Sequence, residues 1–218
     1  MLGMLHVYDD LEPKAAAMNM AIDEALLADA AVPILRFYRW RQPSLSFGYF
    51  GRYAEVVHEL RREIVRRWTG GGIVPHGDDL TYSVIIPASH ALFERSSPEI
   101  YRVIHEAIRD ALNANGIAAE LIAEAAPKIS EACFANAVRA DVMSAGRKIA
   151  GAAHRRSRAG LLHQGSIQHR DLPERFRTDL ARILCERNEG KSLSAEAIER
   201  AEQIAEAKYG TVAWLKRR

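Results

Sequence analysis

Hydrophobic positions recur along the chain with two periods, one typical of helices and one typical of strands. In residues 15–30, Ile22 and Leu26 fall on one face of a helix, which predicts that this face packs on a sheet. The clearest helix is predicted at 97–116, where Ser97-Pro98 suits a capped first turn and apolar residues follow every three or four positions. Helical spacing is found in four segments: 15–30, 97–116, 174–187 and 195–208.

Strand patterns occupy the intervals between these helices. In residues 44–50, Leu45, Phe47 and Tyr49 alternate with small residues, and Ser144-Ala145-Gly146 predicts a hairpin turn. Strands are predicted at 34–40, 44–50, 65–68, 80–86, 140–143, 148–153 and 161–167. Because they cluster between helices without strict alternation, the sequence predicts an α+β fold with a mixed, largely antiparallel sheet flanked by helices.

Composition places the chain among ordinary globular proteins. It has 218 residues, of which 48% are hydrophobic and 27% are charged, so the length favours one full-sized domain. The turn-like stretch near Gly190 predicts a main domain at 1–190 and a C-terminal helical extension at 191–218. The formal net charge of +2 is too balanced to indicate a nucleic-acid partner. Two cysteines, Cys133 and Cys185, predict thiols rather than a disulfide framework or a zinc site.

Apolar runs and the first residues bear on location. The apolar runs are shorter than the roughly 18 residues that span a bilayer, so no membrane segment is predicted. Residues 1–6 lack a basic leader followed by a cleavable apolar stretch, which favours a cytoplasmic protein.

The most unusual local sequence is 66–76, where Gly70, Gly71 and Gly72 follow two arginines and precede His76. Without Cβ atoms, the backbone can turn sharply and expose its amides to a phosphate, an oxyanion or an extended acyl chain. A flexible surface turn is the simpler alternative. No Lys-Ser/Thr pair follows the glycines, so the stretch fits neither a phosphate loop nor a dinucleotide fingerprint.

Two other residues have reactive side chains. Small neighbours in residues 146–153 leave space beside Lys148, and a buried lysine there can polarise a carbonyl or pair with a phosphate. An exposed position on an edge strand is the alternative for this lysine. Cys133 is a nucleophile only as a thiolate, which a nearby cation such as Lys148 would favour; otherwise it is a small buried apolar residue.

Taken together, five short motifs resemble those of the superfamily of lipoate ligases, octanoyltransferases and biotin ligases, and they follow the order found there. The motifs are 19–26, 67–72 with His76, 80–83, 146–153 and 162–166. The resemblance covers most of the chain and implies a biotin/lipoate protein ligase-like catalytic domain. The substrate-binding residues that it implies are Arg67, Thr69, Gly70, Gly71, Gly72, His76, Tyr82, Ser83, Gly151 and Ala152.

The resemblance leaves more than one activity open. The chain is most similar to cysteine-type octanoyltransferases, because Cys133-Phe134 matches their nucleophile; this implies Cys133 and Lys148 as catalytic residues and no cofactor. In having glycine at position 72, the chain instead resembles lipoate ligases, which use ATP and Mg to form an acyl-adenylate. A third alternative is a module that binds an acyl group without turnover.

The implied partners are octanoyl-acyl carrier protein as donor and, as acceptors, lipoyl domains of 2-oxoacid dehydrogenases or the glycine cleavage H protein. A nucleic acid, a membrane and a metal are not among them. Since carrier and lipoyl domains are typically acidic, we expect Arg155, Arg156 and Arg158 to form part of a docking face.

Overall fold

The computed structural model describes residues 3–59, 61–123, 138–169 and 171–217. Its α-helices are α1 (Ala16–Asp29), α2 (Ser97–Ala114), α3 (Arg175–Leu184), α4 (Ala195–Ile204) and α5 (Val212–Leu215). Its strands are β1 (Leu5–Lys14), β2 (Ile34–Trp40), β3 (Ser44–Phe47), β4 (Glu63–Arg66), β5 (Val74–His76), β6 (Leu80–Pro87), β7 (Glu120–Leu121), β8 (Val142–Ser144), β9 (Arg147–Arg156), β10 (Gly160–Ile167) and β11 (Asn188–Lys191). None of the helices in these ranges combines the length and the apolar character of a membrane crossing.

The strands form one large sheet and one small sheet. The large sheet has the order β11-β1-β2-β6-β10-β9-β8-β7, and the small one has the order β4-β3-β5. In the large sheet β11, β1 and β2 pair in parallel, whereas every following pair is antiparallel. The predicted mixed, largely antiparallel sheet flanked by helices is therefore confirmed.

The central strands β6 and β10 are buried along their whole length, because helices cover both faces of the sheet. Ile86 and Leu161 face a core that includes residues of α2 and α3. Ile85 and Leu162 face a second core that includes residues of α1 and α4. The apolar runs that predict these strands thus supply two cores, one on each side of the sheet.

Helix α1 is buried on more than one side and carries polar residues into the interior. Arg36 of β2 lies wholly buried beneath it and donates from Nη1 to Asp23 Oδ1 at 2.8 Å and from Nη2 to Asn19 Oδ1 at 2.9 Å. Removing charges from water is unfavourable unless hydrogen bonds and a counter-charge replace the water. The Asn19 and Asp23 positions of the first motif therefore fix α1 to the sheet.

The N-terminus of α2 is capped one residue earlier than the sequence predicts. The hydroxyl of Ser96, not Ser97, accepts from the Glu99 amide, and the Glu99 carboxylate accepts from the Ser96 amide. This reciprocal capping box satisfies two amides that have no partner inside the helix.

Strands β1 and β11 are absent from the sequence prediction. β1 is only partly buried, and β11 has mostly exposed side chains, so neither has a regular apolar alternation. Their parallel pairing is made by backbone groups, which the pattern of side chains does not encode. β11 crosses residue 190, and the division of the chain there stays a prediction.

The C-terminal segment is attached to the small sheet through one arginine. Arg66 of β4 is buried and donates to the carbonyl oxygens of Trp214, Leu215 and Arg217. In return, the Trp214 indole donates to the Arg66 carbonyl at 2.9 Å. The segment around α5 therefore supports the strand that leads into the glycine-rich sequence.

Three histidines lie between α2 and the sheet: His105 and His163 are buried, and His154 is half-buried. Burial lowers the pKa of His105 to about 3, and burial with the neighbouring His105 and Arg156 lowers the pKa of His154 to about 4. Burial, followed by the other two histidines, holds the pKa of His163 well below its usual value. All three are consequently neutral at pH 7.

We expect stability to fall as the pH drops below about 6.5, the pKa of an unfolded histidine. The unfolded chain then binds protons that the folded chain excludes, so at pH 5 each buried histidine removes about 2 kcal/mol of unfolding free energy. Urea denaturation between pH 7 and pH 5 measures this loss. His58→Gln, at an exposed position, should leave the pH dependence unchanged; constant stability over this range would contradict the expectation.

Candidate functional site

The glycine-rich sequence lies between β4 and β5 and packs directly on another backbone segment. A Cβ atom at Gly48 would lie 2.1 Å from the Gly71 carbonyl oxygen and 2.6 Å from that of Gly70. Gly71 also has a φ of +84°, which glycine adopts readily. These residues form a close backbone contact rather than a flexible surface turn.

Arg67 holds the loop in shape. Its Nη2 donates to the carbonyl oxygens of Gly70 at 3.1 Å and Gly72 at 2.8 Å, and its Nη1 donates to Ser46 Oγ at 2.6 Å. The arginine is buried, so these hydrogen bonds form away from bulk water. Arg67 is thus a structural brace for the loop as well as a local positive charge.

His76 continues this hydrogen-bonded group. Its Nε2 lies 2.6 Å from Ser46 Oγ, its Nδ1 lies 2.8 Å from Asp79 Oδ2, and its ring stacks on Trp40 with centroids 4.1 Å apart. Burial would raise the pKa of Asp79, but the His76 charge and the hydrogen bonds from His76, Ser166 and the Gly77 amide lower it to about 2. Asp79 is therefore ionised at neutral pH and fixes the His76 ring.

Thr69 connects the loop to β10 and, through it, to α1. Its hydroxyl donates to Gln164 Oε1 at 2.8 Å, and Gln164 Nε2 donates to Asp23 Oδ2 at 2.8 Å. Each amide and hydroxyl is buried and has a partner, as buried polar groups require. The loop position is thus tied to α1 through β10.

A small inner pocket, with a cavity volume of about 30 Å³, lies beside the loop. This volume has room for about one water molecule and is well below the roughly 300–1,000 Å³ typical of small-molecule sites. Glycines, alanines and aromatic rings make most of its wall, and a few polar groups point into it. The lining residues are Met20, Tyr38, Trp40, Ser46, Arg67, Gly71, His76, Thr81, Gly151, Ala152, Ala153, Gln164, Gly165 and Ser166.

A larger open cleft of about 840 Å³ adjoins it, and His76 lines both. The cleft has charged residues of both signs on its walls. They include Arg62, Asp78, Arg147, Lys148, His169 and Asp171. The site therefore combines a small, largely apolar pocket with a polar cleft.

Lys148 is buried and paired, which excludes the exposed edge-strand alternative. Its side chain is 3% exposed, and its Nζ lies 2.8 Å from Asp141 Oδ2. A register shift between β8 and β9 leaves Ile149 without a partner in β8, and such a bulge can redirect the side chains around it. A Cβ atom at Gly151 would lie 2.5 Å from Lys148 Cε and 2.8 Å from Nζ, so the lysine can fold across the strand only because residue 151 is glycine.

Asp141 is a site residue that the sequence does not predict. Its carboxylate accepts from the Val138 amide at 2.6 Å and from the Tyr101 hydroxyl, in addition to its ion pair with Lys148. The Tyr101 hydroxyl in turn accepts from the amide of Ala152, a pocket residue, at 3.1 Å. The available signal is one acidic residue inside a short, apolar strand pattern.

Some of the predicted substrate-binding residues line the inner pocket, and others do not. Those that line the pocket are Arg67, Gly71, His76, Gly151 and Ala152. Thr69, Gly70 and Gly72 belong to the loop without lining the pocket. Cys133 lies outside the described residues.

Tyr82 and Ser83 line neither pocket nor cleft. Tyr82 is in the core, packed so closely on Gly165 that a Cβ there would lie 2.3 Å from its ring. The Ser83 hydroxyl donates to Asp23 Oδ1 at 2.8 Å. Both side chains support the residues that form the site.

The sequence prediction also misses pocket residues that come from distant elements. Met20 lies on α1, Tyr38 and Trp40 lie on β2, and Gln164 and Ser166 lie on β10. The last two belong to the fifth motif, which offered a signal for them.

The neighbouring arginines at the end of β9 point in different directions. Arg155 lies over the rings of Tyr49 and Trp68, each about 5.0 Å away. Arg156 donates to the Phe93 carbonyl at 2.7 Å, near the start of α2. Successive residues of a strand face opposite sides of the sheet, so these two arginines do not share one surface.

The model of one protein family, the lipoyl protein ligase A/B catalytic domain, matches residues 15–205. Curated relatives include the octanoyltransferase LipM of Oceanobacillus iheyensis, which is 38% identical over 71% of this chain and 60% of its own. The octanoyltransferase LipM of Staphylococcus aureus is 36% identical over 72% of this chain and 64% of its own. The chain therefore spans about 60% of the length of these relatives.

Solved structures share the fold at lower sequence identity. A lipoate-protein ligase A bound with ATP superposes with a TM-score of 0.78 at 22% identity, with 99% of each chain covered. A chain from a bi-partite lipoate protein ligase and its E2 lipoyl domain from Thermoplasma acidophilum superposes with a TM-score of 0.69 at 22% identity, covering 99% of this chain and 96% of its own.

The close contact between Gly48 and the glycine loop predicts that Gly48→Ala destabilises the protein by about 1–3 kcal/mol, because the added carbon meets backbone atoms that cannot rotate away. Gly70→Ala is the matched control in the same loop, since a Cβ at Gly70 has no atom within 4 Å. Thermal and urea unfolding of both variants test this. Equal stabilities would contradict the contact.

Proposed function

The chain belongs to the lipoyl protein ligase A/B catalytic domain family, and from this membership we propose that it is an octanoyltransferase. It moves an octanoyl group from acyl carrier protein, through a thioester on Cys133, to a lysine of a lipoyl domain. The observation that carries the proposal is the position of Gly151, which lines the apolar pocket and lies against the Lys148 ammonium. The names and the 36–38% identity of the LipM relatives support the same reaction.

We place the hydrocarbon tail of the acyl group at the inner pocket, whose walls must move apart to admit it because the cavity volume is only about 30 Å³. Its wall has aromatic rings at Tyr38 and Trp40 and small residues such as Gly71 and Ala153. Burying one methylene is worth about 0.8 kcal/mol, so a tail of several carbons gains enough to select its length.

The first acyl transfer begins with the Cys133 thiolate attacking the thioester carbonyl of the donor. The carbonyl oxygen gains negative charge, which the Lys148 ammonium and amides of the glycine loop stabilise. The bond to the carrier thiol then breaks, the carrier leaves as a thiolate that takes up a proton, and the acyl group remains on Cys133.

In the second transfer, the neutral amine of the acceptor lysine attacks the acyl-enzyme carbonyl. The new amide bond forms, the bond to the Cys133 sulfur breaks, and the amine gives up a proton as the cysteine leaves. Because the donor thioester is already activated, neither transfer needs ATP.

The ion pair with Asp141 suits Lys148 for this role. A buried ammonium needs a counter-charge close by, and the Asp141 carboxylate lies 2.8 Å from Lys148 Nζ. Tyr101 and the Val138 amide fix the carboxylate, so the charge is oriented before substrate arrives.

Lipoyl domains are the proposed acceptors, and the Arg155 side of β9 is the proposed place for an acidic partner. Arg155 adjoins Trp68, which directly precedes the glycine loop. A positive surface there would steer an acidic domain towards the pocket. Arg156 is engaged by the Phe93 carbonyl on the other side of the strand.

Incubation with octanoyl-acyl carrier protein, without ATP, tests the reaction by intact-protein mass. We expect one octanoyl group to be added to the enzyme and then to be transferred to a lipoyl domain when that domain is supplied. Cys133→Ala should abolish the adduct. Cys185→Ala is the matched control, because that thiol is buried and lies 3.2 Å from the Arg187 carbonyl.

Two other outcomes would contradict the proposal. If the lipoyl domain is modified only with ATP and free lipoic or octanoic acid, the chain is a ligase. In that reaction Lys148, which lines the large cleft, would face the activated acid. Binding of octanoate without adduct or modified acceptor would indicate an acyl-binding module.

We further expect Gly151→Ala to reduce the rate of transfer by about 10- to 100-fold while the protein remains folded, because misplacing a catalytic group by about 1 Å has effects of this size. The new methyl group displaces the flexible end of Lys148 rather than backbone. Gly190→Ala, where a Cβ has open space, is the control and should keep its activity. Single-turnover transfer with parallel unfolding curves separates the two effects.

A further inference from the structure

We infer that His105 is a positioning residue, which fixes the direction of Lys148 through Ala140 and Asp141. It does so as the last member of a hydrogen-bonded chain that crosses the core from β9 to α2. The link to catalysis rests on the proposed function, in which Lys148 stabilises the oxyanion. The link from His105 to Lys148 rests on geometry alone.

Ala140 has an unusual backbone conformation. Its φ is +68°, in the left-handed region that residues with a Cβ seldom adopt. Such a conformation persists where the surroundings fix it. Here the Ala140 amide donates to the Ile122 carbonyl at 2.9 Å, and the Ala140 carbonyl lies 2.8 Å from His105 Nδ1.

The residue after Ala140 is the partner of Lys148. A rotation of the Ala140 backbone out of the left-handed region would redirect the Asp141 carboxylate away from the ammonium that it now meets at 2.8 Å. The conformation of one alanine therefore sets the direction of the ion pair.

One face of α2 contacts both the Ala140 carbonyl and the Asp141 carboxylate. Tyr101 and His105 are four positions apart and thus neighbours on the helix surface, and their rings lie 4.0 Å apart. The Tyr101 hydroxyl donates to the Asp141 carboxylate, while His105 bonds to the carbonyl of the preceding residue. The helix therefore clamps side chain and backbone together.

The hydrogen bonds beyond His105 run in one direction. A carbonyl oxygen only accepts, so His105 Nδ1 carries the proton, and Nε2 of the neutral ring accepts from the Tyr82 hydroxyl at 3.4 Å. The Tyr82 oxygen then accepts from His163 Nε2 at 3.1 Å. His163 Nδ1 accepts from His154 Nε2 at 2.6 Å. The Ala140 carbonyl thus fixes the tautomer of His105, and donation in the same direction along the chain puts the protons of His163 and His154 on Nε2.

This orientation gives the buried histidines a role that the proposed transfer does not otherwise use. If every hydrogen bond from His105 to His154 were donated in the opposite direction, the Ala140 carbonyl would have no donor from His105. A buried carbonyl without a donor is unfavourable. The direction of these hydrogen bonds is therefore fixed, and it keeps residue 140 in its left-handed conformation.

Nitrogen-15 NMR of histidine-labelled wild-type protein at pH 7 tests the direction of the chain without any substitution. We expect His105 to be protonated at Nδ1 and both His154 and His163 to be protonated at Nε2. A His105 ring with its proton on Nε2 would overturn the inference, because the Ala140 carbonyl would then face a nitrogen without a proton.

Chemical labelling of Lys148 tests the link to the ion pair. The probe is an amine-reactive ester, and the modified peptide is quantified by mass spectrometry. His105→Phe keeps a ring beside Tyr101 but removes the donor, and we expect Lys148 to react about tenfold faster, as loss of a buried hydrogen bond predicts.

Ala140→Gly supplies the decisive comparison. Glycine adopts the left-handed region without strain, so His105→Phe combined with Ala140→Gly should return Lys148 labelling towards the wild-type rate. Ala145→Gly is the matched control, since Ala145 also has a positive φ, of 47°, but lies in the β8–β9 turn. It should not restore protection in the His105→Phe background.

Unchanged labelling in a folded His105→Phe variant, or equal rescue by Ala145→Gly, would overturn the inference. If His105→Phe does not fold, the NMR result on the wild type decides. Because labelling needs no acyl donor, a positive result with no transfer activity would reject the proposed function and leave the role of His105 intact.

Discussion

One buried carboxylate, that of Asp23, joins the elements on which the site is built. It accepts hydrogen bonds from Arg36 of β2, Ser83 of β6 and Gln164 of β10, while its own backbone belongs to α1. A charge in the interior is tolerated only with such partners, so the four elements cannot move independently. Gln164 extends the constraint to Thr69, so the position of the glycine loop depends on the Asp23 carboxylate of α1.

The sequence predicts best those elements whose side chains alone define the pattern. The fully buried β6 and β10 have continuous apolar runs, and α2 has a capped start and a regular apolar face. β1 and β11 could not be predicted in this way, because backbone pairing at the sheet edge carries no periodic side-chain pattern. β3 and β4 were located, but their ends shift by a few residues, since the turns beside them depend on tertiary contacts.

For the site, motifs predicted residues whose chemistry is visible in the local sequence. Arg67, Gly71, His76 and Gly151 were found in this way and line one pocket. Asp141 was not, because its function depends on a lysine seven positions later folding back across a glycine. Tyr82 and Ser83 show the reverse case, in which a motif residue supports the core from outside the pocket. The predicted nucleophile, Cys133, lies outside the described residues, and its role stays a prediction.

Arg66 has a further consequence for how distant parts of the chain communicate. It precedes the brace of the glycine loop in sequence and is satisfied by carbonyl groups around α5. If a molecule binds only to the loop conformation that Arg66 supports, its binding also favours the conformation in which α5 is hydrogen-bonded to Arg66. By thermodynamic reciprocity, this bound position of α5 strengthens binding of the molecule by the same factor. Binding of a ligand in the pocket should therefore slow the exchange of the amide hydrogens of α5 with solvent.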